Sequence, residues 1–268
     1  MLIDFHVHCF PDRLAAGAVE SLHRASGYTP YTGGAFQETS EKLRAWGVDA
    51  AVLLNIAVTP RTQHNVNEFA ISVNDGRRYF AFGSVHPDAP DALEELSRLQ
   101  EAGIRGIKLH PAYQGFAADD PKVYPIYARC AALHLPILFH AGWDVAFPDA
   151  RCSEPEQCAR VIRDFPDCRF ILAHMGGMCR WDDVERLLCG KNVWLDLAFA
   201  AENVERGQLP KEQLLRLLTR HDPRRLLFAT DCPWSTPPRL TALLDELGID
   251  GELRENINCR NAMDLLGL

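Results

Sequence analysis

Two histidines stand two residues apart near the start of the chain, at His6 and His8, inside a short apolar run. Residues at i and i+2 of a β-strand project to the same side, so both imidazoles can reach one ion. The same alternation predicts that Phe5 and Val7 point away from that side. A lone His-x-His is a weak indication of metal binding, because such pairs often face solvent. The pair therefore needs partners elsewhere in the chain.

Further polar residues stand where other short apolar runs end, at His140, His174 and Asp231. Burying several imidazoles and a carboxylate without mutual use is costly, whereas a shared divalent ion satisfies them together. Nitrogen and carboxylate ligands suit Zn²⁺ or a similar first-row metal. The residue types therefore predict a divalent metal site.

The apolar runs alternate with amphipathic stretches, which is typical of βαβ units in a parallel sheet. Eight runs are predicted strands: Leu2–His8, Ala50–Asn55, Tyr79–Val85, Ile104–His110, Pro136–His140, Arg169–His174, Asn192–Leu197 and Arg225–Asp231. The predicted helices between and after them are Glu38–Trp46, Ala89–Glu101, Tyr124–His134, Glu154–Asp164, Trp181–Cys189, Lys211–Arg220 and Thr241–Leu247, with a last amphipathic stretch through Leu268. This order predicts an α/β fold, a single (β/α)₈ TIM barrel with extra C-terminal helices. The strand ends, and with them the candidate ligands, then share one face.

Length and composition bound the class of protein. The 268 residues match one barrel better than two ordinary domains, so we expect a single domain over residues 1–268. A net charge of -8 disfavours nucleic acid and anionic membranes as partners, and no apolar run approaches the roughly 20 residues of a membrane span. The N-terminus lacks the basic segment of a secretory signal, so a cytoplasmic location is expected. The nine cysteines form no C-x-x-C pair, which favours reduced thiols.

Five motifs along the chain, taken together, resemble the amidohydrolase superfamily, specifically its amidohydrolase-related branch, which contains aminocarboxymuconate-semialdehyde decarboxylase. They are DFHVH, GIKLHP, LFHAG, LAHMGG and FATDCPW, and they follow the family's order from Asp4 to Trp234. The resemblance implies that His6, His8, His140 and Asp231 bind a divalent metal, most simply Zn²⁺. It gives His174 and Asp231 catalytic roles.

Lys108 bears on the number of metal ions. In two-metal members a lysine on the fourth strand is carboxylated and bridges the ions, and Lys108 occupies that strand here. The alternative is an inward ammonium that pairs with Asp4. Because the resemblance is to a branch in which one ion is usual, one ion is favoured and two remain possible.

The resemblance implies two reactions for one set of residues. In a metal-dependent hydrolase of a small carboxylate, lactone or amide, metal-activated water attacks the carbonyl, His174 polarises it and Asp231 carries the proton. In a non-oxidative decarboxylase of an aromatic or semialdehyde carboxylic acid, the His174/Asp231 pair protonates the carbon that loses CO₂. The sequence favours hydrolysis, with decarboxylation as the alternative. A barrel that binds metal or ligand without catalysis is the alternative of another class.

Loops after the strands are expected to contact a small-molecule substrate. The candidates at these positions are Asn55, His86, His110, Tyr113, Trp143, Arg180 and Trp234. A homodimer is possible on general grounds.

Overall fold

Eight short parallel strands surround a common axis in the computed structural model, which describes all residues from Met1 to Leu268. They are β1 (Ile3–Val7), β2 (Ala50–Leu54), β3 (Tyr79–Phe82), β4 (Ile107–Leu109), β5 (Ile137–Phe139), β6 (Phe170–Leu172), β7 (Trp194–Asp196) and β8 (Leu226–Leu227). Each lies within a strand that the sequence predicts. The observed strands are shorter because their polar ends leave the ladder and turn into the loops.

The strands close into a barrel. β1 to β3 form one hydrogen-bonded run and β4 to β8 another, each in sequential order. The runs meet where the Lys108 N–H donates to the Gly83 carbonyl at 2.8 Å, and where the Phe5 N–H donates to the Phe228 carbonyl at 2.8 Å. The fold is therefore the (β/α)₈ barrel that the sequence predicts.

Thirteen α-helices connect and close the strands. They are α1 (Asp12–Ser26), α2 (Phe36–Ala45), α3 (Gln63–Val73), α4 (Ala92–Glu101), α5 (Pro111–Gln114), α6 (Tyr124–Ala132), α7 (Pro155–Asp164), α8 (Trp181–Leu187), α9 (Ala200–Glu205), α10 (Lys211–Arg220), α11 (Pro237–Glu246), α12 (Gly251–Glu255) and α13 (Asn261–Leu266). A π-helical turn, Asn256–Arg260, joins the last two. The apolar pattern of the sequence does not predict α1, α3, α5 and α9. No helix is long and apolar enough to cross a membrane.

Alternating side chains of the strands divide the core into two layers. A large cluster between the strands and the helices includes Leu53, Phe139 and Leu195. A smaller cluster fills the barrel, with Phe82 and Leu138 among its members. Ala262, Leu265 and Leu266 of α13 close the end opposite the carboxyl ends of the strands. The barrel is thus filled by side chains at the amino ends of its strands and open at the carboxyl ends, where the polar residues lie.

One expectation about β1 needs correction. Phe5 lies in the interior cluster and not against the helices, whereas Val7 faces the helix layer as predicted. The pairing of β1 with β2 shifts register between Asp4 and Val7, so simple alternation fails along this strand.

Candidate metal centre and active site

Three of the predicted ligands meet at the open end of the barrel. The Nε2 atoms of His6 and His8 lie 3.2 Å apart, and Asp231 Oδ1 lies 3.5 Å from the first and 3.3 Å from the second. Ligand atoms around a tetrahedral Zn²⁺ lie about 3.4 Å from one another, given bonds of about 2.1 Å. These spacings therefore fit a shared divalent ion.

His140 and His174 form a pair beside this group. His140 Nδ1 lies 3.1 Å from His174 Nε2, and the rings of His6 and His174 have centroids 5.7 Å apart. His140 is not a member of the three-residue group, which differs from the four-ligand set that the sequence suggests. The group and the pair together offer five atoms that could bind a metal ion.

The ring nitrogen of each histidine that points away from the centre, called here the outer nitrogen, has a hydrogen-bond partner that determines the position of the ring proton. His6 Nδ1 lies 2.7 Å from Asp196 Oδ2, and a backbone carbonyl accepts from each of the other rings. The partners are Leu54 O for His8 Nδ1 at 3.1 Å, Trp143 O for His140 Nε2 at 3.3 Å and Ala198 O for His174 Nδ1 at 3.3 Å. Because these oxygens only accept, each outer nitrogen carries the proton and each inner nitrogen presents a lone pair.

The inner atoms would repel one another without a cation. Four imidazole lone pairs and one carboxylate converge, and none of these inner atoms carries a proton to donate in a hydrogen bond. Burial holds the pKa of His6 well below its ordinary value, and it lowers the pKa of His140 to about 3 and that of His174 to about 4. Burial raises the pKa of Asp231, but its contacts with His6 and His8 lower it more, so any proton within the group lies on a ring and the carboxylate stays ionised. Neutral imidazoles and an ionised carboxylate are the donors that a divalent metal requires.

Backbone strain marks two of these residues. His174 and Asp231 have φ values of +58° and +67°, in the left-handed region that non-glycine residues rarely adopt. Such strain persists only where the surrounding structure fixes it, and it concentrates at functional sites. Both residues are therefore held where their strands turn into loops.

Asp196, at the end of β7, is a site residue that the sequence analysis misses. It is fully buried, and its Oδ1 accepts from the backbone N–H groups of His174 at 2.9 Å and Ala198 at 3.0 Å. The signal was present, because Asp196 is a polar residue near the end of a predicted strand, like the residues that were identified.

Lys108 does not pair with Asp4. The Asp4 carboxylate instead accepts from the Thr230 hydroxyl at 2.6 Å and from the backbone N–H groups of Thr230 and His6. The Lys108 side chain is 1% exposed and lines the central cavity, with no hydrogen bond and no carboxylate within 4 Å of its ammonium. Burial lowers its pKa to about 8, although the charges of Asp196, Asp231 and Asp144 act in the opposite direction.

A second group of possible ligands, formed by His110, His140 and Asp144, does not suit a metal ion. Asp144 Oδ2 lies 3.3 Å from His110 Nε2 and 3.5 Å from His140 Nε2. However, the two rings are stacked, with centroids 4.2 Å apart and planes 13° from parallel, so no ion can lie in the plane of both. A metal on His110 Nε2 would also leave a proton on its Nδ1, which is buried without a protein acceptor. Asp144 is better described as an anion that contacts both rings.

A cavity of about 440 Å³ opens above the centre. Among the predicted substrate contacts, it is lined by Asn55, His110, Tyr113, Trp143 and Trp234. The Asn55 amide nitrogen donates to the carbonyls of Leu53 and Phe82, so only its oxygen is left to contact a substrate. Most other lining residues are apolar, and α1, which the sequence reading missed, supplies part of this wall.

The remaining two candidates lie outside the cavity, which corrects the expectation that they contact substrate. His86 is buried in the turn after β3, where its Nδ1 accepts from the Asp88 N–H at 3.1 Å. Arg180 pairs with Glu154 at 2.8 Å and joins two loops on the outside. His86 therefore stabilises its own loop, and Arg180 links the loops after β5 and β6.

Residues 3–268 match the model of the amidohydrolase family. A curated relative, 2-amino-3-carboxymuconate-6-semialdehyde decarboxylase of Dictyostelium discoideum, is 22% identical over 227 residues, or 72% of this chain, and the match spans 62% of the relative's length. An uncharacterised TIM-barrel protein from Bordetella bronchiseptica superposes with a TM-score of 0.74 at 21% identity, covering 99% of this chain and 98% of the other. A dihydroxybenzoic acid decarboxylase from Polaromonas, solved with manganese and the inhibitor 2-nitroresorcinol, gives a TM-score of 0.72 at 14% identity, covering 100% and 97%. The structural similarities concern the fold.

Proposed function

The chain belongs to the amidohydrolase family, and on this premise we propose that it is a metal-dependent decarboxylase of a small aromatic or unsaturated carboxylic acid. Two relatives named above are decarboxylases, one of a carboxymuconate semialdehyde and one of dihydroxybenzoic acid. Their names support decarboxylation over the hydrolysis that the sequence alone favoured.

The observation that carries this proposal is the unpaired ammonium of Lys108. A buried cation without a counter-ion is costly, and it is retained where an anionic ligand completes it. Lys108 lines the cavity from β4, where the charges of Asp196, Asp231 and Asp144 act on its ammonium although none of these carboxylates pairs with it. An anionic oxygen of the substrate outside the leaving carboxylate would pair with it, so that the ammonium orients the substrate without stabilising the group that leaves.

The metal-binding atoms are those of His6, His8 and Asp231, with His140 and His174 beside them. A divalent ion held there would supply positive charge that orients an anionic substrate and withdraws electrons from it. The dihydroxybenzoic acid decarboxylase holds manganese, so Mn²⁺ and Zn²⁺ are both candidates.

His174 is our candidate for the proton transfer. In the reaction, the bond between carbon and the carboxylate breaks, the electron pair stays on carbon, a proton adds there and CO₂ leaves. The low pKa of His174, caused first by burial, makes the protonated ring a strong acid. His174 is not one of the three ligands, so its Nε2 is available for a proton, and an anionic substrate beside the ring would raise its pKa and favour proton uptake there.

Apolar walls favour loss of CO₂. Water stabilises a carboxylate much more than it stabilises neutral CO₂, so a dry surrounding lowers the cost of the step. The wall above the centre is formed largely by apolar side chains, including Phe10, Leu22, Val66, Phe69, Phe199 and Trp234.

The test is to incubate the protein, loaded with Zn²⁺ or Mn²⁺, with carboxyl-¹³C hydroxybenzoates and unsaturated semialdehyde acids. We expect release of ¹³CO₂, and in D₂O one deuterium on the carbon that lost it. The same protein is then given lactones and amides in H₂¹⁸O. Incorporation of ¹⁸O into an acid product without CO₂ from any carboxylate would overturn the proposal in favour of hydrolysis.

Variants connect the reaction to the site. His174→Asn is expected to abolish CO₂ release, while His64→Gln, a substitution at an exposed histidine on α3 that does not line the cavity, should retain it. Equal activity of the two variants would exclude His174 as the proton donor.

A further inference from the structure

Asp196 is a buried carboxylate that does not line the cavity and has no lysine or arginine within ion-pair distance. Its two oxygens have different tasks. Oδ2 lies 2.7 Å from His6 Nδ1, and Oδ1 accepts from the backbone N–H groups of His174 and Ala198. One side chain on β7 therefore contacts the end of β1 and the turn after β6.

The contact with His6 fixes the position of a proton. At 2.7 Å the hydrogen bond to a carboxylate is short and charge-assisted, and the carboxylate can only accept. His6 therefore carries its proton on Nδ1 and presents the Nε2 lone pair toward His8 and Asp231. Acceptors of this kind behind a ligating histidine set both its ring orientation and its basicity.

The contact with His174 fixes a strained backbone. His174 has a φ of +58°, which a non-glycine residue adopts only when other interactions hold it there. Its N–H donates to Asp196 Oδ1 at 2.9 Å. The same carboxylate thus anchors the residues that carry two of the inward-facing lone pairs.

We propose that Asp196 is a positioning residue, which holds His6 in the Nδ1–H tautomer and fixes His174 so that both Nε2 atoms face the metal centre. The inference rests on the metal dependence in the proposed function and not on which reaction follows. Neither the sequence motifs nor the named relatives assign this residue a role.

The substitution Asp196→Asn separates the two contacts with almost no change in size. If the amide oxygen faces His6, the amide nitrogen confronts two backbone N–H donors, those of His174 and Ala198. If the amide nitrogen faces His6, the ring must move its proton to Nε2, where the metal needs a lone pair. In the first orientation the backbone contact is lost, and in the second the hydrogen bond to His6 reverses its direction and changes the tautomer of the ring.

The first readout is the tautomer of His6 in the metal-free protein, from ¹⁵N chemical shifts of its ring nitrogens. The His6→Gln spectrum assigns the signal. We expect protonated Nδ1 and bare Nε2 in the unmodified protein, and a shift toward protonated Nε2 in Asp196→Asn. A His6 ring that is already protonated on Nε2 in the unmodified protein overturns the proposal, even if the variant does not fold.

The second readout is metal affinity, measured by competition with a chromophoric chelator for Zn²⁺ and Mn²⁺. We expect about 10- to 100-fold weaker binding in Asp196→Asn. A purely structural role would lower the thermal midpoint of the metal-free protein and leave the metal affinity of the folded protein unchanged, whereas we expect that affinity to fall.

Asp4→Asn is the matched control. Asp4 is equally buried and lies on the same strand as His6, but it contacts only backbone N–H groups and the Thr230 hydroxyl, which an amide can satisfy. Its metal affinity should match the unmodified protein. Unchanged affinity in Asp196→Asn, or equal losses in both variants, would overturn the proposal. A failure to release CO₂ at normal metal affinity would contradict the proposed function alone.

Discussion

At the scale of single residues, the chemistry of the site depends on atoms that are left without partners. Four imidazole lone pairs and the Asp231 carboxylate face one another, and the Lys108 ammonium stands nearby without a counter-ion. A cation resolves the first arrangement and an anion resolves the second. A metal ion and a carboxylate substrate are complementary to the two halves of the same site.

Lys108 gives a prediction in pH. Burial lowers its pKa to about 8, so the protein loses the charged form as pH rises through this value. Substrate binding that depends on the ammonium should weaken above about pH 8, seen as a rising KM. Lys108→Arg should move that limb to higher pH, since a guanidinium stays charged. Lys108→Met should raise KM about 100-fold at pH 7, which corresponds to the loss of one charge-assisted contact of about 3 kcal/mol.

Metal content distinguishes this role from a bridging one. If a carboxylated Lys108 bridged two metal ions, Lys108→Met would reduce the number of bound ions from two to one, which elemental analysis measures. An anion-binding ammonium predicts an unchanged count. Loss of an ion would contradict the role that we give to Lys108.

At the scale of elements, the loops after β5 and β6 hold the His140/His174 pair together. Gly142 lies in the first loop with a φ of +82°, and the Met178 N–H donates to the Ala141 carbonyl at 2.8 Å across the contact. An added Cβ at Gly142 would stand 2.3 Å from Met178 N and 2.5 Å from Met178 O. Only glycine allows the two loops to approach so closely.

Gly142→Ala is therefore expected to cost more than backbone strain alone. Gly115→Ala is the control, because Gly115 has a similar φ of +69° and open space around its Cβ position. The control should lose about 1–2 kcal/mol of unfolding free energy, which is the cost of the left-handed conformation. Gly142→Ala should lose clearly more and also bind metal less tightly. Equal losses in chemical denaturation would mean that the loops separate freely.

At the scale of the whole molecule, Asp4 contributes to barrel closure between the first and last strands. It is fully buried, and burial raises its pKa to about 7 although three hydrogen bonds, from Thr230 and His6, oppose the shift. The folded state therefore binds this proton more tightly than the unfolded chain does. Stability from this residue is highest at low pH and falls as pH rises from about 4 to 7.

The measurement is the difference in unfolding free energy between the metal-free unmodified protein and Asp4→Asn at pH 5 and pH 8. The unmodified protein should lose stability relative to the variant over this interval, by at most about 2.7 kcal/mol, because only the two pH units between pH 5 and the raised pKa of about 7 contribute. A difference that does not change with pH would show that Asp4 titrates normally. Carboxylates that do not interact with Asp4 are common to both proteins, so their contributions cancel, whereas the charge of Asp196 is part of the Asp4 shift.

Metal binding should also stabilise the whole barrel, because its ligands come from β1, β8 and the loops between other strands. With the ion at 100 times its Kd, the folded state gains about 2.7 kcal/mol. We expect the thermal midpoint to rise with added Zn²⁺ or Mn²⁺ and to fall with a chelator. Asp231→Asn should remove most of this dependence, whereas His64→Gln should not.

The sequence by itself determined the barrel and most of the inward-facing chemistry. Strand periodicity fixes which residues face inward, and the strand order of a barrel brings all strand ends to one face, so residues as distant as His6 and Asp231 could be placed together. The helix α1 was missed although it has 15 residues, because only Ala15 and Val19 on it are buried. The six-residue helix α9 was missed because a helix this short is stabilised by tertiary contacts. The β1 register shift that turns Phe5 inward was missed for the same reason.

Only the tertiary structure decided how each ring is used. His140 lies outside the group of three, and Lys108 does not pair with Asp4. His86 and Arg180 lie outside the cavity, and Asp196 is hydrogen-bonded to His6. These outcomes depend on which acceptor lies behind each side chain at about 3 Å, and such acceptors are contributed by neighbouring strands and loops. Residue spacing within one strand carries no information about them.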